Sequence, residues 1–94
     1  MFIVLLTYKA DLAELDNHLA AHRDWLQEAI DAGRLLVAGR KVPRTGGAFL
    51  VHGTREEVEA WTKTDPFAIA DLADYELIAF AATMTAPGLE AFKE

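Results

Sequence analysis

The stretch that decides the fold is FIVLLTY, at residues 2–8. Branched or aromatic side chains occupy almost every position, so both faces of the strand that this stretch predicts are expected to be buried. Residues 75–83, YELIAFAAT, are apolar on both faces in the same way. The two stretches therefore predict the first and last strands of a sheet that needs cover on both sides.

Further strands and a hairpin follow from the residues between these two stretches. The segments with strand composition are residues 2–8, 34–42, 48–52 and 75–83. The turn PRTGG, at residues 43–47, joins the second and third of them into a hairpin. A phosphate-binding loop at Gly46-Gly47 is disfavoured, because no Lys-Ser/Thr pair follows the glycines.

Two helices lie between the strands. The first is predicted over residues 11–32, with Asp11 as its N-cap and Gly33 at the left-handed position after its end. The second begins at Thr54 with a capping box, since Glu57 stands three residues further on. The stretch Asp65-Pro66-Phe67 then predicts a short additional helical turn, and the tail from residue 86 predicts a short helical piece or a frayed end.

The resulting order, βαββαβ, predicts the fold class. It is typical of an α+β, ferredoxin-like domain with a four-stranded antiparallel sheet and both helices on one face. At 94 residues the chain is expected to form a single domain over residues 1–94. The other face of the sheet would be bare and apolar, so we expect a homodimer that packs face to face and leaves a cleft between helices and sheet for a small ligand.

Composition excludes several classes of function. The net charge of −6, with thinly spread Lys and Arg, argues against a nucleic-acid partner. The absence of cysteine removes disulfides, thiolate metal sites and thiol nucleophiles. The N-terminal apolar run is too short for a signal peptide and no segment is long enough to span a membrane, so a soluble, cytoplasmic protein without membrane partners is expected.

His22 is the residue that most needs an explanation, because it falls on the apolar stripe of the first predicted helix. At about 100° per residue, the other members of that stripe are Leu15, Leu19, Leu26 and Ile30. An imidazole in that position faces the core or a pocket and can serve as a proton-transfer group tuned by its surroundings. The alternative is a buried histidine satisfied by a backbone carbonyl or water.

Asp65 is the best candidate partner for His22. It begins a helical turn, and the helix N-terminus that Pro66 indicates would hold its carboxylate ionised. The alternative interpretation makes Asp65 an N-cap and nothing more. The remaining aromatic residues, Trp61, Phe67 and Tyr75, are expected to fill the core, Trp25 is expected to pack at a boundary, and His52 is expected at the surface.

The other candidate groups give weaker indications of a functional site. His18 precedes His22 by four residues, a spacing found in metal sites, but the accompanying Glu and a third ligand are missing, so no metal is expected. No cofactor-binding motif occurs. Arg40, Lys41 and Arg44 form the only basic cluster, which could attract an anionic substrate or solvate the hairpin, and we favour solvation.

Taken together, these residues resemble the YciI-like (YCII-related) family of small proteins with a dimeric α+β barrel fold. The resemblance runs nearly end to end and is carried by the opening strand MFIVLLTY, by His22 in HRDWL, by GRLL at residues 33–36 followed by Ala38-Gly39, by the Thr-Gly-Gly hairpin, and by Asp65-Pro66-Phe67 before YELIAF. It implies a His–Asp pair in the cleft between helices and sheet and, in part of the family, lyase-type dehydrochlorination in aromatic degradation.

Two positions depart from the family pattern. Arg40 follows Gly39 where many relatives have proline, and Asp71 stands where relatives have glycine. These departures imply a different pocket rim and a different turn near Asp65, so the substrate does not carry over.

The sequence therefore predicts a cofactor-independent enzyme of the lyase or isomerase type. In this interpretation His22 moves a proton on a small cyclic or aromatic substrate, and Asp65 orients and charges the imidazole. The alternatives are a non-catalytic module that binds a small ligand or regulates, and a purely structural dimer.

Overall fold

A computed structural model describes all residues from 1 to 94. The strands are β1 (Phe2–Tyr8), β2 (Leu35–Arg40), β3 (Gly46–Val51) and β4 (Ala73–Ala79). The helices are α1 (Leu12–Asp16), α2 (Leu19–Asp31), α3 (Arg55–Thr62) and α4 (Pro66–Ile69), with a single 3₁₀ turn at Glu90–Phe92 in the tail. The predicted order of strands and main helices is confirmed.

The strands form one antiparallel sheet in the order β2-β3-β1-β4. β1 is central, and its side chains at Phe2, Val4 and Leu6 are buried beneath the helices. β4 runs over Ala73–Ala79 rather than 75–83, because its only neighbour, β1, pairs with it from Phe2 to Tyr8. This is the antiparallel ferredoxin-like α+β fold that the sequence predicts.

The prediction of one helix over residues 11–32 is wrong. The helix is interrupted at Asn17 and His18, and His18 has a φ of −111° as the N-cap of α2. Asn and His both have low intrinsic helix propensity, so an interruption costs little there. Asp11 occupies the N-cap position of α1 without a side-chain capping bond, and Gly33 adopts the expected positive φ, at 77°.

The buried face of α2 differs from the predicted stripe. Its buried residues are His22, Trp25 and Ala29, whereas Ile30 is 45% exposed. The stripe was aligned on Leu15, which lies in α1, and the face of α2 that packs on the sheet is rotated from it, so that Ile30 falls outside the buried face. Trp25 therefore lies in the core rather than at the boundary where it was expected.

The glycines after the hairpin turn also differ from the prediction. Gly46 and Gly47 are the first residues of β3 and pair with β1, so they are not part of the turn. A β carbon at Gly46 would lie 1.8 Å from the backbone oxygen of Leu6, so any side chain there would clash with the neighbouring strand. Glycine is needed here for the close approach of two strands.

Two predicted caps on the connection to β4 are present. The side chain of Thr54 accepts a hydrogen bond from the Glu57 N–H, and Glu57 accepts one from the Thr54 N–H, which completes the capping box of α3. Asp65 caps α4 by accepting a hydrogen bond from the Phe67 N–H at 3.0 Å. Asp71 has a φ of 58°, a conformation that Asp tolerates better than most residues.

One face of the sheet carries no helix. A row of aliphatic side chains crosses it in register, with one residue from each strand: Val37, Leu50, Ile3 and Ile78. Val37 is 62% exposed and Ile78 is 41% exposed. The bare apolar face expected from the sequence is therefore present in the isolated chain. None of the helices has the length and apolar character that crossing a membrane requires.

Candidate active site

His22 lies on the buried face of α2, with only 7% of its surface exposed. Its Nδ1 is 2.7 Å from Oδ1 of Asp65, a residue 43 positions further along the chain. A carboxylate oxygen accepts hydrogen bonds, so Nδ1 is the donor in this contact, and Nε2 is the ring nitrogen that has no partner in the chain. The structure thus brings together the two residues that the sequence singled out.

Asp65 is fully buried and accepts three hydrogen bonds. Oδ1 accepts from the His22 ring and from the Phe67 N–H, and Oδ2 accepts from the hydroxyl of Tyr75 at 2.5 Å. Asp65 therefore caps α4 and contacts His22 at the same time, since different donors approach its carboxylate. Asp65 is thus both the N-cap of α4 and a hydrogen-bond partner of His22, which does not fit the interpretation of Asp65 as an N-cap and nothing more.

Tyr75 is the polar member of the site that the sequence analysis missed. Burial raises the pKa of its phenol well above the usual value, and the hydrogen bond to Asp65 raises this pKa further. The phenol therefore stays protonated and donates to the carboxylate. The alternation of β4 contains the signal that could have found it, because Tyr75 shares the helix-facing side of the strand with Ala73 and Leu77.

Aromatic rings fix the position of the imidazole. The Phe67 ring stacks on His22 with centroids 4.0 Å apart and planes 10° apart. Trp25 lies on another side at 5.7 Å and stacks on Trp61, while its Nε1 donates to Thr64 Oγ1 at 2.9 Å. A stacked aromatic face also stabilises an imidazolium once it forms. Phe67 and Trp61 thus fill the core as expected, and Phe67 shapes the site as well.

A cavity of about 120 Å³ opens beside His22. Its apolar wall is formed by Leu6, Leu19, Leu26, Ala38 and Phe49. Nε2 of His22 has no hydrogen-bond partner in the chain and is not a fully buried atom. For scale, an apolar cavity of about 150 Å³ holds benzene. The cavity that His22 lines is somewhat smaller than this and is partly open to solvent, so a ligand with a single ring would enter it in part and extend outward.

The other histidines lie elsewhere. His18 is the N-cap of α2 and does not contact His22 Nδ1, whose partner is Asp65. His52 is exposed and donates from Nε2 to the Gly33 carbonyl oxygen at 2.6 Å. No group of three or more His, Cys, Asp or Glu side chains is arranged to hold a metal ion.

The sequence itself shows the family of the chain. The sequence pattern of the YCII-related domain family matches residues 1–81, and the chain belongs to this family. No curated protein matches the sequence. Among solved structures, the chain is similar to 5-chloro-2-hydroxyhydroquinone dehydrochlorinase (TftG) from Burkholderia phenoliruptrix AC1100, in complex with 2,5-dihydroxybenzoquinone. The TM-score is 0.71 at 18% identity, over 85% of this chain and 93% of that chain, so the fold is shared.

Proposed function

We propose that this protein is a cofactor-independent enzyme of the lyase or isomerase type, in which His22 transfers a proton on a small cyclic or aromatic substrate. The observation that carries the proposal is the buried imidazole of His22, whose Nδ1 lies 2.7 Å from Asp65 and which also lines a small, partly open cavity. The activity named for the structurally similar dehydrochlorinase supports the lyase type.

On a chlorinated hydroquinone, the reacting form is the keto tautomer in which the carbon that bears chlorine also carries a hydrogen. The lone pair of His22 Nε2 accepts the proton of the ring hydroxyl para to the new carbonyl. The electrons of the broken O–H bond form a C=O bond, the ring double bond shifts, and chloride departs with its bonding electrons, so that a quinone and HCl form without an oxidant. The imidazolium then returns its proton to solvent. General acid–base catalysis of this kind contributes about 10²–10⁴-fold to the rate.

Asp65 and Tyr75 have supporting roles in this proposal. The Asp65 carboxylate holds the hydrogen on Nδ1, which keeps Nε2 available as a base, and it stabilises the positive charge that His22 acquires. Tyr75 donates to the remaining oxygen of Asp65 and so fixes the direction of the carboxylate. Tyr75 is a positioning residue, because it acts through Asp65.

The test is chloride release under anaerobic conditions from a panel of chlorinated hydroquinones and catechols that includes 5-chloro-2-hydroxyhydroquinone, because the substrate of a relative does not carry over. We expect His22→Gln to lower kcat by about 10²–10⁴-fold and Asp65→Asn to lower kcat while the fold is retained. His52→Gln is the matched control, because His52 lies outside the cavity. Activity that survives in His22→Gln would refute the role of His22.

The same experiment separates the proposal from its main alternative. If the wild-type protein binds 2,5-dihydroxybenzoquinone in a way that depends on His22 but releases no chloride, a ligand-binding or regulatory module is favoured.

The single-domain organisation and the cytoplasmic location of the chain stay predictions.

We also propose that two copies of the chain pair through the bare face of the sheet. The row of aliphatic side chains across all the strands supports this, since exposed apolar patches of this kind mark interaction sites. Sedimentation should show a dimer at micromolar concentration that Leu50→Glu dissociates. Val42→Glu is the control, because Val42 is 97% exposed in the hairpin connection. A wild-type monomer at that concentration would refute the dimer.

A further inference from the structure

The charged side chains that line the cavity beside His22 are unlike those of the rest of the surface. Acidic residues outnumber basic residues in the chain by 15 to 9. Nevertheless, apart from His22, the charged side chains that line this cavity are Arg23 and Arg40, and no carboxylate lines it. A strongly acidic protein thus presents a cationic wall at the cavity where its candidate base lies.

Neither of these arginines has an acidic partner. Three other basic side chains form ion pairs within 4.0 Å, namely Lys9 with Asp71 and Asp74, Arg44 with Asp16, and Arg55 with Glu59. The remaining lysines and arginines, apart from Arg23 and Arg40, form none, but they do not line this cavity. Arg23 and Arg40 make no ion pair and donate no hydrogen bond within the chain. Their guanidinium groups are therefore available to a ligand.

The structure also divides the basic cluster for which the sequence favoured solvation. Arg44 pairs with Asp16 at 2.8 Å, and Nζ of Lys41 donates to Thr7 Oγ1 at 3.2 Å. Of that cluster, Arg40 alone lines the cavity. It comes from the end of β2, whereas Arg23 follows His22 on α2, so cationic groups reach the cavity from two elements.

We propose that the cavity binds a planar single-ring compound that carries a negative charge, a carboxylate or a phenolate, which Arg23 and Arg40 hold while the ring lies against the apolar wall beside His22. The guanidinium group is suited to this because its donors match a carboxylate in a bidentate arrangement. Cationic groups close to the ring also stabilise the negative charge that develops when a base removes a proton. The inference rests on the proposed function, for which it names the substrate class.

The first experiment measures binding alone, with benzoate and its neutral isostere benzamide as probes. Dissociation constants are obtained from chemical-shift changes in ¹H–¹⁵N spectra at low ionic strength. We expect benzoate to bind at least about tenfold more tightly than benzamide, and the benzoate affinity to fall with added NaCl while the benzamide affinity does not. Equal affinities, or no detectable binding of benzoate, would overturn the proposal.

Variants assign the selectivity to these side chains. Arg23→Gln and Arg40→Gln should each weaken benzoate by about tenfold and leave benzamide unchanged, and the double variant should bind the two probes equally. Both arginines are exposed, so the variants are expected to fold. Arg55→Gln is the matched control, because Arg55 does not line this cavity. Selectivity that survives in the double variant would overturn the proposal.

The design keeps failure of this inference apart from failure of the proposed function. His22→Gln should retain the preference for benzoate while it loses chloride release. If the wild-type protein selects the anion without releasing chloride, the inference stands and the lyase function falls. If it releases chloride but binds benzoate and benzamide equally, the function stands and the inference falls.

Discussion

Replacing Tyr75 with phenylalanine removes one hydroxyl group, and we expect this change to lower the free energy of unfolding by about 2 kcal/mol. Oδ2 of the fully buried Asp65 has no hydrogen-bond partner in the chain besides the Tyr75 hydroxyl, at 2.5 Å. A hydrogen bond to a charged group contributes about 1.5–3 kcal/mol, and its loss leaves a buried carboxylate oxygen unpaired. Urea unfolding at pH 7 measures the difference, which corresponds to about 8–16 °C in Tm for a domain of this size.

The same variant should change the dependence of stability on alkaline pH. In the unfolded chain a tyrosine titrates near 10, whereas burial and the bond to Asp65 raise the pKa of folded Tyr75 well above this value. Above pH 10 the unfolded state therefore binds fewer protons than the folded state, and stability falls as the pH rises. The stability that the protonated phenol of Tyr75 contributes is fully present below about pH 10 and decreases above it. The Tyr75→Phe variant should not show this decrease.

Tyr8→Phe is the matched control for both measurements. Tyr8 packs edge-on against Phe67, with ring centroids 6.0 Å apart, but does not donate to Asp65. It should therefore lose less stability than Tyr75→Phe at pH 7. Two results would contradict this role of the hydrogen bond to the buried carboxylate. One is a free energy of unfolding of Tyr75→Phe within about 0.5 kcal/mol of the wild-type value. The other is a decrease of stability above about pH 10 that is as steep as in the wild type.

Two further predictions concern the strands and the capping box. Gly46→Ala should lower the free energy of unfolding by more than about 3 kcal/mol or prevent folding, because the new β carbon would lie 1.8 Å from the Leu6 backbone oxygen. Gly39→Ala is the control. No atom lies within 4 Å of its new β carbon, so it should change stability little in the same urea experiment. Thr54→Ala should cost about 1 kcal/mol by removing the N-cap of α3. Hydrogen bonding by the Thr54 backbone N–H lowers the pKa of Glu57 below 4.5, so this carboxylate contributes stability above about pH 4.5 that is lost as the pH falls through the lowered pKa. Unfolding of Glu57→Gln between pH 3 and 6 should show a weaker acid dependence, and an unchanged one would contradict the capping role.

The predictions that succeeded depend on local patterns. The order of the elements follows from the apolar stretches and the breaks between them, and the capping box at Thr54 needs only two residues three positions apart. The cap at Asp65 likewise needs only the following Pro66 and Phe67. Because neighbours along the chain form these features, they can be predicted before any tertiary contact is known.

The predictions that failed depend on how the helices and strands pack against one another. The stripe through Ile30 was aligned on Leu15 in α1, whereas tertiary packing turns the face of α2 with His22 and Trp25 toward the core and leaves Ile30 exposed. Tyr75 was assigned to the core because its ring is apolar, although the position of its hydroxyl depends on how β4 packs beneath α4.

The sequence by itself determined the strand order along the chain, the caps, and the candidacy of His22 and Asp65, since each needs only local spacing or an unusual residue on an apolar face. The tertiary structure alone decided that these two side chains meet at 2.7 Å, that Tyr75 completes the hydrogen bonds of the carboxylate, and that Arg40 turns toward the cavity while Arg44 pairs with Asp16. Those contacts join residues far apart in the chain, and strand register and helix packing, which local propensity does not specify, determine them.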